Sequence, residues 1–451
     1  MKTTSIEIIE ILKKAGHSAY WAGGCVRDML LGIEPKDFDI VTSAKPEEIE
    51  NLLEHTIPVG KKFGVILAIQ NGHSFEIATF RSDSGYSDGR RPDAVIFTNA
   101  KEDALRRDFT INALFYDPTE DRIMDYIKGQ EDLEKGLIKF IGDPEQRILE
   151  DNLRILRAVR FRNALNMQYN PDTYQAIKKH VHLIKNISTE RIREELNKMI
   201  MGKNAGRAFE ELFEIGALEI LIPELCKLKG LAQPLQYHTE GDVWDHSIKS
   251  LDSLTEEESD PNPLPEKSPT SALKWAVFLH DIGKYDTFEI KDDRIKYEGH
   301  QEVGAEIAKK ILKRLRFPIK TVNRVEWLVR HHMMVVPLLE MPDSRRRHWF
   351  LLEEFEDLLE VFRADCMGII PLDLDKYEQI KKLYKHEIAH LKLLPKKLIS
   401  GEEIMKALKI PAGERVGEIL SDIREKQLGG ELKTKKEALD YINRLALKTL
   451  K

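Results

Sequence analysis

Along the first 140 residues the spacing of apolar positions changes repeatedly, and each change marks an element. Residues 1–16 interleave acids, bases and apolar side chains at helical spacing. A short strand follows over Ala19–Ala22, then a tight Gly23-Gly24 turn and a helix over residues 25–31. A second strand carries Asp37, Asp39 and Val41. Strand side chains alternate faces, so Asp37 and Asp39 point the same way while Phe38 and Ile40 pack behind them. Residues 46–55 read as a helix, and residues 63–70 and 74–80 as strands joined by Asn71-Gly72, a hairpin turn signal. The Gly-, Ser-, Asp- and Arg-rich run over residues 80–97 reads as a mobile loop, and Gly129 with Asp132 as a closing turn. From residue 143 to about 230 the period is helical. Asp151, Arg154, Arg157 and Arg160 recur three residues apart and form a polar row, with Leu153, Leu156 and Val159 facing the core. Ser188 opens a further helix with a capping-box signal.

Composition narrows the classes. The chain has 451 residues, enough for two to four domains, with 42% hydrophobic and 32% charged residues. It carries no apolar run long enough to span a bilayer and no signal-peptide core. Cys25, Cys226 and Cys366 lack metal-type spacing, which points to a reducing compartment, the cytoplasm. Net charge is −6, but residues 376–451 hold 18 Lys and Arg against 11 Asp and Glu. A basic tail on an acidic body fits contact with a phosphate backbone. A solvated helical face explains the same charges equally well.

The chemistry concentrates near the first turn. Paired carboxylates repel unless a cation sits between them, and all-oxygen ligation suits Mg²⁺. The glycines let backbone N–H groups approach a phosphate, with Arg27 one turn further on. Together these imply metal-assisted phosphoryl or nucleotidyl transfer. Taken singly, a GG turn or an Asp-x-Asp is common without function; their close succession is what carries weight. Glu76, an acid among apolar residues, is a third carboxylate for the site or an edge charge. Arg106 and Arg107 suit triphosphate oxygens, or form ion pairs with Asp103 and Asp108. The Asp151 to Arg160 row offers acceptors and donors for a nucleobase edge, or is a surface salt-bridge ladder.

In order, the segments GGCVRD, DFD, FEIATFRSD, RRDFTINA, GQEDL, EDNLRILRAVRF and STERIREEL resemble the class II tRNA nucleotidyltransferases, which comprise CCA-adding enzymes and bacterial poly(A) polymerases. The resemblance runs from Tyr20 to about Leu225 and extends more weakly to GEEIMKALKIPAGERVGEIL in the tail. It implies an α+β fold with a DNA polymerase β-like head followed by a mostly helical neck, body and tail. It implies that Asp37 and Asp39 bind Mg²⁺ with Glu76 as third carboxylate, and that Gly24, Arg27 and Arg107 hold triphosphate. Asp151 and Arg154 would pair with the base of CTP or ATP, supported by Arg157 and Arg160, and the acceptor would be the tRNA 3′ end. The loop over residues 82–92, with Tyr86, Asp88, Arg90, Arg91 and Pro92, implies that A is added as well as C. A poly(A) polymerase or an A-only enzyme is the rival within this chemistry.

A second constellation lies among the histidines. His238 and His246, His280-Asp281, His300, His331, His332 and Asp365 follow one another through an apolar helical region. An adjacent His-Asp pair in such surroundings is costly unless partnered, and imidazole with carboxylate ligates divalent transition metals. The order His246, His280, Asp281, Asp365 resembles the HD phosphohydrolases, with Ni²⁺, Mn²⁺, Co²⁺ or Mg²⁺ all admissible; Lys284 would hold phosphate, and His300, His331 and His332 are weaker candidates. This implies phosphohydrolase activity on RNA-end phosphates, with the rival that it is the only activity and the head merely binds RNA. An acidic, Pro-rich insert over residues 255–270 reads as a disordered loop. The expected organisation is a head over 1–142, a neck and body over 143–232, an HD domain over 233–370 and a basic tail over 371–451.

Overall fold

The structure, a computed structural model, describes residues 1–84, 94–234, 241–254, 269–390, 396–429 and 431–449. It divides into two compact units, Met1–Pro223 and Glu224–Lys451. His238, the loop residues Tyr86 to Pro92 and most of the acidic insert lie outside the described residues.

The first unit is built on one mixed sheet. After α1 (Lys2–Lys14) come β1 (Ala19–Ala22), α2 (Gly24–Leu30), β2 (Ile40–Thr42) and α3 (Pro46–Leu52). Then follow β3 (Thr56–Gly60), β4 (Val65–Gln70), β5 (His73–Thr79), β6 (Arg81–Ser84), β7 (Ala94–Phe97), α4 (Ala100–Leu105), β8 (Phe115–Asp117) and β9 (Arg122–Met124). The sheet order is β3-β4-β5-β2-β1-β8-β9; β2 and β5 run parallel and the remaining neighbours antiparallel. The β4–β5 hairpin turns at Asn71 and Gly72, both with positive φ, the backbone its Asn-Gly pair favours. Ala22, Val41, Phe80, Ala100, Ala104 and Phe115 pack into a core beneath the β1–β2 corner.

Helices complete this unit: α5 (Gly129–Glu134), then, after the short strand β10 (Leu137–Ile138), α6 (Pro144–Glu150) and α7 (Arg154–Ala164), then β11 (Gln168–Tyr169), α8 (Pro171–His180), α9 (Thr189–Ile200), α10 (Ala205–Glu214) and α11 (Ala217–Leu221); α12 (Pro223–Cys226) lies at the boundary. Four expectations need correcting. The second strand begins only at Ile40, because its partner β1 ends where Gly23 turns at φ 72°; Asp37 and Asp39 lie on the extended lead-in. The supposed loop is flanked by paired strands, with Ser82 opposite Ile96 and Asp83 opposite Val95. Gly129 and Asp132 belong to α5, whose approach to Thr110 is so close that a Cβ on Gly129 would sit 2.4 Å from its carbonyl oxygen. Ser188 precedes α9 but makes no side-chain cap.

Among its described residues the second unit is helical apart from a small hairpin, β12 (Glu289–Lys291) and β13 (Arg294–Lys296). Its helices are α13 (Val243–Asp252), α14 (Ser271–Leu279), α15 (His300–Arg314), α16 (Ile319–His331), α17 (Asp343–Phe350), α18 (Phe355–Gly368) and α19 (Asp375–His390). Last come α20 (Gly401–Leu408), α21 (Glu414–Leu428) and α22 (Lys435–Thr449), packed around Ile404, Ile423, Ala438 and Ile442. Among the described residues no helix is long and apolar enough to cross a membrane.

Candidate active site and metal centre

In the first unit, Asp37 and Asp39 are exposed while Phe38 and Ile40 are buried, and Phe38 packs on Trp21 at 4.7 Å between ring centroids. The Ala22 N–H donates to the Asp39 carbonyl at 3.0 Å, which ties the Asp-bearing segment to the glycine turn. Glu76 is exposed on β5, one residue before Ile77, the partner of Ile40, so it flanks Asp39. These acids push on one another. Desolvation, then Asp37, then Glu76 raise the Asp39 carboxyl to about 6, against the opposing pull of Arg107.

A cleft of about 650 Å³ joins this edge to the helices. Gly23, Gly24, Arg27, Asp37, Asp39, Arg106, Arg107, Asp108, Asn112, Asp151, Arg154, Arg157, Arg160, Phe161 and Lys198 all line it. Gly23 turns at φ 72°, which side chains rarely adopt, and a Cβ there would press on Arg107 Nη1 at 3.0 Å. The excess of unneutralised acid on one wall, with guanidinium groups on the others, fits a divalent cation carrying a polyphosphate.

Each arginine is held by a carboxylate or carbonyl. Arg27 donates to Asn112 Oδ1 at 2.7 Å and to Asp28. Arg106 and Arg107 share the fully buried Asp103, and Arg107 also reaches the Asn112 carbonyl at 3.2 Å. The expected pairing of this arginine pair with Asp108 does not form. Asp108 instead accepts from Arg157 Nη2 at 2.6 Å, and although burial pushes its carboxyl up, Arg157, Asn112 and the Phe109 N–H carry it down to about 2. The polar row is likewise not one helix: α6 ends at Glu150, Asp151 is extended, and α7 begins at Arg154. That break turns Asp151 to accept both Nη1 and Nη2 of Arg191 at 2.9 and 2.7 Å. Arg154 Nη1 donates to Glu150 Oε2 at 2.7 Å, and Arg160 Nε to Glu195 Oε2 at 2.6 Å. Sequence reasoning missed Asn112, Arg191, Glu195 and Lys198 as site residues; the first three lie within the charged segments RRDFTINA and STERIREEL, and Lys198 lies just past the second.

In the second unit, His246 on α13, His280-Asp281 at the end of α14 and Asp365 on α18 converge. The His-Asp pair sits in the exit turn and not within the helix; His280 Nε2 lies 3.6 Å from Asp365 on α18, while Asp281 Oδ2 lies 3.7 Å from His246 Nε2 on α13. His246 Nε2 is 3.1 Å from Asp365 Oδ1 and 3.3 Å from His280 Nε2. Burial opposes charge on His280, but Asp281 and Asp365 raise its imidazole to about 10. Such a demand for positive charge, on donors of this kind, fits a divalent metal. His300 and His332 join the cluster, contrary to their weaker standing by sequence, while His331 turns away onto Trp327 at 4.4 Å. Lys284 is buried and donates to Asp281 Oδ2 at 2.6 Å.

Comparison with known proteins supplies a family. Residues 19–139 match the Poly A polymerase head domain, residues 166–229 the "Probable RNA and SrmB- binding site of polymerase A", and residues 243–348 the HD domain. A CCA-adding enzyme of Ligilactobacillus salivarius is 35% identical over 309 residues, 67% of this chain and 75% of that protein. Among solved structures, the Bacillus stearothermophilus CCA-adding enzyme in complex with CTP is 26% identical, with a TM-score of 0.71 over 99% of this chain and 98% of that one. A CCA-adding enzyme of Bacillus licheniformis is 31% identical over 440 residues, 97% of this chain and 96% of its own length. With likeness of that extent, spanning head, helices and tail alike, the chain belongs to the CCA-adding enzyme family.

Proposed function

We propose that this chain adds C and A, from CTP and ATP, to the 3′ end of tRNA, without a nucleic-acid template. The observation that carries the reading is the single cleft onto which the paired aspartates, the triphosphate-type arginines and the Asp151–Arg154 groups all open. Asp37 and Asp39, with Glu76 beside them, would hold Mg²⁺, which when bound neutralises phosphate charge and aligns the reacting oxygens. Gly24, Arg27 and Arg107 receive the triphosphate through backbone N–H and guanidinium donors. The RNA 3′-hydroxyl gives its proton to solvent as its oxygen bonds to the α-phosphorus and the α–β bridge breaks, and pyrophosphate leaves with its charge beside these arginines. Asp151 accepts from and Arg154 donates to the base edge, so the protein replaces a template strand. Arg157 and Arg160, anchored on Asp108 and Glu195, line the same cleft beside that pair, which Arg191 and Glu150 hold in place. The basic tail would follow the acceptor arm by backbone contacts, because A-form RNA is read mainly by shape. Three free cysteines fit a cytoplasmic setting.

The buried histidine–aspartate cluster favours a second activity. His246, His280, Asp281 and Asp365 would hold a divalent metal for hydrolysis of phosphate esters at RNA ends, leaving a 3′ terminus fit for addition.

Incubation with tRNAs ending before CCA, after C and after CC, followed by product sequencing, tests the first reading. Completed CCA ends are expected from all three, and none from Asp39→Ala. Long A tracts, or addition only after CC, would transfer the assignment to a poly(A) or A-only enzyme. Hydrolysis of a 2′,3′-cyclic phosphate that survives Asp39→Ala and is lost in Asp281→Ala is expected of the second.

A further inference from the structure

We propose that the open face of β3 and β4 receives the last base of the RNA acceptor, which lies on Ile57, Leu67 and Ile69 by apolar contact alone. This rests on the reading of the chain as a tRNA nucleotidyltransferase and places that reaction's second substrate.

Strand register lays a row of side chains across the sheet. Ile57 on β3 pairs with Leu67 on β4, and Leu67 pairs with Glu76 on β5. Glu76 precedes Ile77 as Asp39 precedes Ile40, and Ile40 and Ile77 are partners, so the row ends at Asp39. Directly paired residues share a face. With strands about 4.8 Å apart, Leu67 stands about 5 Å from Glu76 and Ile57 about 10 Å. Ile69, two residues beyond Leu67 and opposite Ser74, joins the same face. The reverse face is closed, with Ile66, Ala68, Phe75 and Ile77 buried in the core. The open face is wet: Ile57 is 46% and Ile69 41% exposed, and Leu67 is half-buried. A contiguous apolar surface that starts one strand from a catalytic carboxylate is a place for a ligand to lie.

Sheet order decides which substrate uses it. β2, which follows Asp39, has β1 on one side and β5, β4 and β3 on the other. The triphosphate donors all belong to the first side, since Gly24 and Arg27 follow β1 and Arg107 precedes β8. Among the described residues, those lining the cleft include none from β3, β4 or β5. Phosphoryl transfer sets the attacking and leaving oxygens in line, on opposite sides of the phosphorus. With pyrophosphate leaving toward β1 and β8, the 3′-oxygen arrives from the β5 side. The nucleotide that carries it then lies over Leu67 and Ile57.

The composition of this face suits that occupant. The acceptor's last base changes as nucleotides are added, so whatever holds it must not read its edge. Aliphatic side chains offer neither donor nor acceptor, whereas every base has an apolar face. The incoming base is the one that must be chosen, and it meets the hydrogen-bonding Asp151 and Arg154 instead.

The test uses the full chain and a tRNA ending in CC, its last nucleotide either intact or abasic, and follows addition of A. Ile57→Ser and Leu67→Ser are expected to raise KM for the intact tRNA about 10-fold, with KM for ATP held within about twofold. Ile57→Phe, which presents a flat ring, restores the parent value. On the abasic tRNA the parent already shows the raised KM, and the serine variants add nothing to it. Serine variants that leave KM for the intact tRNA unchanged, or raise it equally for both ends, overturn the proposal. The reading of the function survives that result as long as the parent completes the CC end. Where a variant fails to fold, the parent decides: 5-iodocytidine at the acceptor's end is expected to photo-crosslink between Thr56 and Gln70. A crosslink elsewhere overturns the proposal, and a parent that extends neither tRNA overturns both.

Discussion

Asp39→Asn should make the metal-free protein more stable while it abolishes nucleotide addition. The Asp39 carboxyl stands at about 6 against an ordinary 3.8, raised first by desolvation and then by Asp37 and Glu76. Since one pKa unit is worth about 1.4 kcal/mol, full burial would make this rise a cost of about 3 kcal/mol for ionising the folded protein. The side chain is solvent-exposed at the cleft edge, and screening leaves about 1 kcal/mol. The folded value lies above the unfolded one, so stability is full below about pH 4 and declines as pH rises through about 6. An asparagine has no such slope. In EDTA at about pH 8, calorimetry should find the transition of the Met1–Pro223 unit about 2–4 °C higher in the variant, with the difference gone at about pH 4. Mg²⁺ should then raise the transition of the parent and not of the variant. A variant less stable than the parent in EDTA, or equal stabilisation of both by Mg²⁺, would refute the idea that these acids are an unneutralised cation site.

Arg157→Met strands the Asp108 carboxylate, whose low value near 2 depends on that guanidinium, and should cost about 3 kcal/mol in urea unfolding. Because the depressed Asp108 contributes stability above about pH 4 that is lost as pH falls through about 2, the deficit should vanish in acid; a deficit independent of pH would tell against the pair. Arg154→Met removes a charged donor from the cleft and should lower kcat/KM for CTP about 10- to 100-fold in single-nucleotide addition assays, with a loss under about twofold excluding a base-reading role. Gly368→Ala would put a Cβ 2.9 Å from His246 Nδ1 and 2.2 Å from Ser250 Oγ. The hydroxyl can rotate and the ring cannot, so about 1–3 kcal/mol of destabilisation should accompany loss of retained metal, with unchanged metal content as the contrary outcome.

The sequence by itself determined the features whose physics is local. The bounds Ala19–Ala22, the glycine turn after them, the alternation of Asp37, Phe38, Asp39 and Ile40, and the Asn71-Gly72 hairpin all follow from the backbone freedom or facing of neighbouring residues. Ordered motifs also carried the family, since seven short segments in sequence leave little room for chance. Tertiary structure decided whatever depends on who meets whom. Arg157 has its acid at Asp108 and Arg160 at Glu195, positions that helical spacing cannot link. The break at Asp151, which reads as continuous helix, is made where that carboxylate turns to Arg191. His300 and His332 look like ordinary helix residues until packing brings their ring nitrogens to 3.1 Å beside Asp281, while His331, one position away, is carried onto Trp327. A helix rotates about 100° per residue, so adjacent histidines part company, and only the packing of α15 and α16 selects which of them meets Asp281.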